Sequence, residues 1–144
     1  VDFVLTYEEL MGIFEAKEID FASLPETEDL TQATSAGRGF AQAGGVAAAV
    51  EEIIHREHPD MIVHTQRADG LRECRKLLML AKAGKFDGYL LEGMACPGGC
   101  IAGAGTVISA DAAGKKLQQH MAEAAIESSA DSPYAALADQ LNEP

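Results

Sequence analysis

The sequence predicts an α/β fold: a mainly parallel sheet of three to four strands flanked by helices. Two observations predict it. Short apolar runs alternate with longer stretches of helical period, and the glycine- and cysteine-rich segment directly follows one of those runs. The C-terminal end of a strand is where open α/β sheets place ligands and chemistry. At 144 residues the chain is long enough for one domain with a core and too short for two, so residues 1–144 are read as a single domain.

The elements follow in order. Val1-Asp2-Phe3-Val4-Leu5 reads as a buried strand, and a chain that opens on such a run without Met reads as cut from something longer. Thr6 begins a helix, with Glu9 completing a capping box and Leu10, Ile13 and Phe14 forming its apolar stripe. Residues 20–39 are a polar connection containing Pro and Gly. Its length favours a functional loop or a segment resting on a partner. Gly44-Gly45 precede a helix with Val46, Val50, Ile53 and Ile54 on one face, ending before Pro59.

Met61–His64 is a short strand candidate. Leu71 to about Lys85 is a helix, with Leu71, Cys74, Leu78 and Ala81 inside and Arg72, Arg75 and Lys76 outside. Phe86–Leu91 is the next strand. Ala110–Ser128 is amphipathic through Leu117, Met121 and Ala125, and Ser132-Pro133 starts a short last helix with Tyr134, Leu137 and Leu141.

Charge narrows the function classes. Against 11 basic residues stand 23 acidic ones, a formal net charge of -12. Such a surface repels phosphate backbones, which argues against nucleic acid. It serves solubility, or docking of a basic or metal-bearing redox partner. No apolar run reaches the ~18 residues that a membrane span needs.

The three cysteines, Cys74, Cys96 and Cys100, are too few and too odd in number for a disulfide scaffold. They fit a reducing, cytoplasmic location. Cys74 falls on the apolar face of its helix and reads as structural. His55 and His58 stand three apart near a helix end and read as surface residues; His64 and His120 have no nearby partner in sequence.

The chemistry centres on Cys96-Pro-Gly-Gly-Cys100. Thiolates are soft ligands suited to iron–sulfur clusters, zinc and copper(I). Two glycines let the backbone fold around a bulky inorganic group, Pro97 stiffens the turn, and freed N–H groups can point at cluster sulfides. Two unliganded loop cysteines, or a thiol–disulfide pair, also satisfy the spacing. A zinc site lacks its second pair of ligands, and a phosphate loop lacks its Lys-Ser/Thr, because Gly99-Cys100 stands there. Gly44 and Gly45 precede a helix N-terminus whose N–H groups and dipole favour negative ligands; close packing explains them equally well.

The run Glu92-Gly-Met-Ala-Cys-Pro-Gly-Gly-Cys-Ile-Ala-Gly-Ala-Gly resembles the third signature of the C-terminal domain found in the large subunit of iron-only (di-iron) hydrogenases. Val1-Asp-Phe-Val-Leu-Thr-Tyr-Glu-Glu-Leu10 is similar to that family's strand-into-helix segment, and Gly37-Arg-Gly-Phe-Ala-Gln-Ala-Gly-Gly-Val46 resembles its glycine-rich pocket loop. The resemblance covers most of residues 1–106, roughly the second half of the family domain. It therefore implies the C-terminal lobe of a two-lobed catalytic domain, without its N-terminal lobe.

It further implies an active site made of a 4Fe-4S cube joined through a cysteine sulfur to a di-iron subsite, for reversible H2 oxidation and proton reduction in an anaerobic metabolism. Cys96 and Cys100 would ligate the cube, Cys100 also bridging to the di-iron subsite. Met94 would line the pocket, Phe40 and Val46 would wall it, and Gly44 and Gly45 would stand across from the cysteines.

The remaining cube ligands and the relay cysteine belong to earlier signatures, so the chain alone is expected to hold no complete cluster and no certain catalytic residue. Implied partners are the N-terminal lobe, ferredoxin or another redox protein, and a second copy packed on the exposed face. Two departures stand out. Gly103-Ala-Gly-Thr-Val107 replaces Gly-Gly-Gly-Gln-Pro, and Phe40-Ala-Gln-Ala-Gly-Gly-Val-Ala-Ala48 replaces Phe-Gly-Ala-Thr-Gly-Gly-Val-Met-Glu. They suit a sensory or low-activity branch, and keep open a non-catalytic iron–sulfur role in sensing, assembly or electron relay.

Overall fold

A computed structural model of the chain describes residues 1–25 and 32–137. Helix α1 (Tyr7–Ala16) starts with the expected capping box: the Thr6 hydroxyl accepts the Glu9 N–H at 3.2 Å, and the Glu9 carboxylate accepts the Thr6 N–H at 2.7 Å. Those hydrogen bonds from Thr6 hold the Glu9 carboxyl below its ordinary range. Phe14 meets Phe21 edge to face, ring centroids 5.1 Å apart, tying α1 to the turn that follows it.

The expected strand at Val1–Leu5 is not one. The segment has no regular structure and is exposed, because among the described residues no strand lies beside it to take its backbone hydrogen bonds. Within the expected polar connection at residues 20–39, a 3-10 turn at Phe21–Ser23 and α2 (Ser35–Arg38) form, and a second 3-10 turn, Gly39–Ala41, closes it. Residues 26–31 of that connection lie outside the described part.

The centre is one βαβ unit. β1 (His64–Asp69) and β2 (Tyr89–Met94) pair in parallel, His64 opposite Tyr89 and Asp69 opposite Met94, with α4 (Leu71–Lys82) as the crossover. Among the described residues the sheet has two strands, not three to four. Both begin three residues later than the sequence reading places them, since Met61 and Ile62 are exposed and the strand run starts at His64. His64 and Tyr89 stack at the entry of the sheet, 5.1 Å between rings.

Side chains alternate across a strand, which sorts the layers. Glu92 reaches α3 (Gly45–Glu57), whereas the neighbouring Gly93 lies against Cys74 of α4. The two helices therefore cover opposite faces. Helix α5 (Ala110–Ala122) packs on α2 and on the turn after the cysteines.

Ile53 and Ile54 on α3 and Cys74 and Ala81 on α4 are half-buried on the expected faces, but the buried positions fall beside them. On α3 they are Ala47 and Ala49, with Val46 half-buried and Val50 exposed. On α4 Leu77 is buried, whereas Leu71 and Leu78 face outward. Of the expected last helix, residues 138–144 lie outside the description; Ser129–Asp131 forms a 3-10 turn, and Tyr134 and Leu137 are exposed. No described helix is long and apolar enough to cross a membrane.

Candidate cluster-ligand loop

β2 ends at Met94 and the chain passes straight into the cysteine loop. The loop closes on itself where the Gly99 N–H donates to the Cys96 carbonyl at 3.0 Å. Gly98 and Gly99 both hold positive φ, 85° and 98°, a region where a β-carbon is strained. A β-carbon at Gly99 would also come within 2.6 Å of the Ala41 carbonyl and the Ala43 nitrogen. Glycine is required there because the pocket loop presses on it.

That contact joins two separated sequence blocks. Gln42 and Gly99 form an antiparallel bridge, and the Ala43 N–H donates to the Gly98 carbonyl at 3.2 Å. The Gln118 amide of α5 donates to the Gln42 side-chain carbonyl at 3.0 Å, holding the pocket loop from outside. From the sheet, the Asp69 carboxylate accepts the Gly98 N–H. Downstream, the Gly105 carbonyl accepts the Glu8 N–H at 3.1 Å, so the loop's exit is fastened to the start of α1.

Within this frame Cys96 is half-buried and Cys100 exposed, both as free thiols. Cys100 opens onto a cavity of about 250 Å³ lined by Tyr7, Ala41, Ile101, Thr106, Val107 and Ile108. Met94 and Val46 share a different cavity, about 260 Å³, with Val50 and Leu90. Gly44 and Gly45 border a third and larger one of about 690 Å³, and Phe40 is exposed on the adjoining turn. The structure thus joins the glycine loop to the cysteine loop through backbone, while the side chains expected around one pocket are spread over separate cavities.

A β-carbon at Gly45 would collide with the Gly39 carbonyl, so close packing accounts for that glycine, and two N–H groups at the start of α3 are already taken. Glu92 occupies them, its carboxylate accepting from Gly44 at 3.0 Å and from Ala47 at 3.3 Å. The sequence motif starts at Glu92 but assigns it no role, and sequence reasoning misses Asp69 and Gln42. An acidic residue closing a strand just before Gly70 is the available signal for Asp69. Cys74 is half-buried as expected, its thiol directed at the Ala68 and Met94 carbonyls at 3.4 and 3.3 Å.

For a metal group, the fit is to two donors. Cys96 and Cys100 are soft ligands on a loop that leaves both sulfurs free. Among the described residues no cluster of three or more His, Cys, Asp or Glu side chains could complete a site.

The chain is 32% identical over 72 residues to "Cytosolic iron-sulfur assembly component 3" of Bos taurus, covering 50% of this chain and 15% of that protein. To the protein of the same name from Pongo abelii it is 30% identical over 71 residues, 49% of this chain and 15% of the relative. The match thus spans about 15% of the length of these curated relatives. The profile described as "Iron only hydrogenase large subunit, C-terminal domain" matches residues 1–104. With most of its length so matched, the chain belongs to the family formed by the C-terminal domain of the iron-only hydrogenase large subunit.

Proposed function

We propose that this chain supplies two thiolates, from Cys96 and Cys100, to a 4Fe-4S cluster whose other ligands come from a separate lobe of the same protein. The observation that supports it is the loop between β2 and the Cys100–Ala102 turn, built on two positive-φ glycines, with both thiols free and no third donor beside them among the described residues. A bound cluster would supply electron storage. The chain's own residues supply the two soft donors, a backbone that bends around them, and carboxylates at Asp69 and Glu92 that fix the two loops.

In the whole protein, the family supports reversible H2 oxidation and proton reduction at a di-iron subsite joined to that cluster through Cys100, with Met94, Phe40 and Val46 toward it, Gly44 and Gly45 opposite, and ferredoxin or another cytoplasmic redox protein as electron partner. A second reading is favoured by the relatives' printed name: a cluster held for iron–sulfur assembly or electron relay, without hydrogen turnover. The altered stretch Gly103–Val107 belongs with that reading.

Anaerobic reconstitution with ferrous iron and sulfide tests the ligand assignment. Iron uptake should depend on both Cys96 and Cys100 and be unaffected by Cys74→Ser. Uptake that survives Cys96→Ser and Cys100→Ser together would sink the assignment. The same samples should evolve no hydrogen, because half a ligand set holds no complete active site; sustained turnover by this chain would refute the shared-ligand proposal.

A further inference from the structure

Helix α3 lacks the cap its start would ordinarily have. Helix N-termini are usually closed by a Ser, Thr, Asp or Asn at the N-cap. Here the N-cap is Gly44, at φ 94°, with no side chain to offer. The acceptor comes instead from Glu92, 48 residues away on β2, and both carboxylate oxygens are used. Its partner across the sheet is Arg67, whose guanidinium donates to the Ala43 carbonyl at 3.4 Å. Neighbouring residues on two strands thus hold the same turn by opposite groups, a carboxylate on its N–H groups and a guanidinium on its carbonyl. Glu92 also stands four residues before Cys96 on the strand that launches the loop.

We infer that Glu92 is a positioning residue that sets the spacing between the glycine loop and the cysteine loop, and through it the exposure of the Cys96 thiol. The role of those thiols as ligands rests on the function proposed above, but the tie itself does not. A carboxylate at a helix N-terminus is favoured by the helix dipole as well as by its hydrogen bonds, so it holds the turn firmly. Releasing it frees the Ala43–Ala47 turn to move away from Gly98 and Gly99, which it now contacts directly.

The test is the alkylation rate of each cysteine by iodoacetamide in the reduced, iron-free full chain, read residue by residue by mass spectrometry. Cys74 is the internal reference, since it is fastened to the strand carbonyls on the α4 side. Glu92→Ala should speed Cys96 several-fold and leave Cys74 at its wild-type rate. Glu92→Gln keeps a carbonyl acceptor for Gly44 and should restore Cys96 most of the way.

Should Glu92→Ala unfold the chain, Cys74 accelerates too and Glu92→Asp decides. Its carboxylate sits one methylene short, so Cys96 should quicken while Cys74 does not. A lower unfolding temperature with an unchanged Cys96-to-Cys74 ratio would reduce Glu92 to an ordinary cap and overturn the inference. Iron uptake by the wild type is measured separately. Uptake that needs Cys96 and Cys100, with unmoved Cys96 rates in the Glu92 variants, removes the tie alone; uptake that survives Cys96→Ser with Cys100→Ser, with an accelerated Cys96, removes the ligand reading alone.

Discussion

At the scale of single residues, most acidic side chains among the described residues meet no base. Arg56 and Asp131 are the exception that pH can read. Two hydrogen bonds, 2.7 and 2.9 Å, join them in fork geometry. Those bonds hold the Asp131 carboxyl below its ordinary value near 3.8, and they raise the Arg56 guanidinium. A carboxyl depressed on folding contributes stability that is present above its unfolded pKa and lost as pH falls through the folded one. Thermal midpoints should therefore drop on acidification below about pH 4, and Asp131→Asn should flatten that drop. Glu9, depressed in the same direction by Thr6, should keep part of the slope in the mutant. Both partners of the Arg56 pair are about half exposed, 49% and 52%, so the difference should be small and shrink in salt. Equal acid slopes in wild type and mutant at low ionic strength would dismiss the pair.

At the scale of elements, the helices carry sequence signals of unequal clarity. The capping box at Thr6 and Glu9 is legible because two side chains at fixed spacing close a helix locally. The phase of α4 is not. Leu71, Leu77, Leu78 and Leu80 offer several apolar stripes, and which one turns inward is decided by the sheet it crosses. The structure chooses Leu77, 7% exposed, over Leu78 at 64%. Leu77→Ala should therefore cost about 2–5 kcal/mol, as large-to-small core changes do. Leu78→Ala should cost under about 0.5 kcal/mol, as surface changes do. Denaturant midpoints of the two mutants measure this, and comparable losses would mean that α4 is rotated from its described position. The strands slip for a related reason: His64-Thr-Gln-Arg-Ala-Asp69 has almost no apolar content, yet it pairs because β2 lies beside it. The cysteine loop is legible through its ligand chemistry, whereas the Glu92 and Asp69 ties, which depend on tertiary contact, are not.

At the scale of the whole molecule, the chain buries little for its size. Among the described residues the buried hydrophobic side chains are Ala47, Ala49 and Leu77, and none is below 2% exposed. The chain exposes 11103 Å², whereas size scaling gives a compact monomer of its mass roughly 7,000 Å². Tyr7, Val107 and Ile108 lie bare around the cavity onto which Cys100 opens, and Phe3 and Val4 are exposed earlier in the chain. Apolar surface of that extent is unusual on a monomer and binds apolar dyes or other chains. Two opposing terms then set what happens in solution. Hydrophobic burial favours association, while a net charge of -12 resists it. Salt screens the second term over about 10 Å at 0.1 M and leaves the first in place. The iron-free chain should therefore enhance the fluorescence of an apolar dye under native conditions, and its weight-average mass in sedimentation should rise with protein concentration, more steeply in high salt. Val107→Ser with Ile108→Ser should lower both signals together, because the same patch produces them. A monomer at every salt concentration with no dye response would mean that these side chains find cover within the chain, and that the open arrangement around Cys100 does not persist in solution.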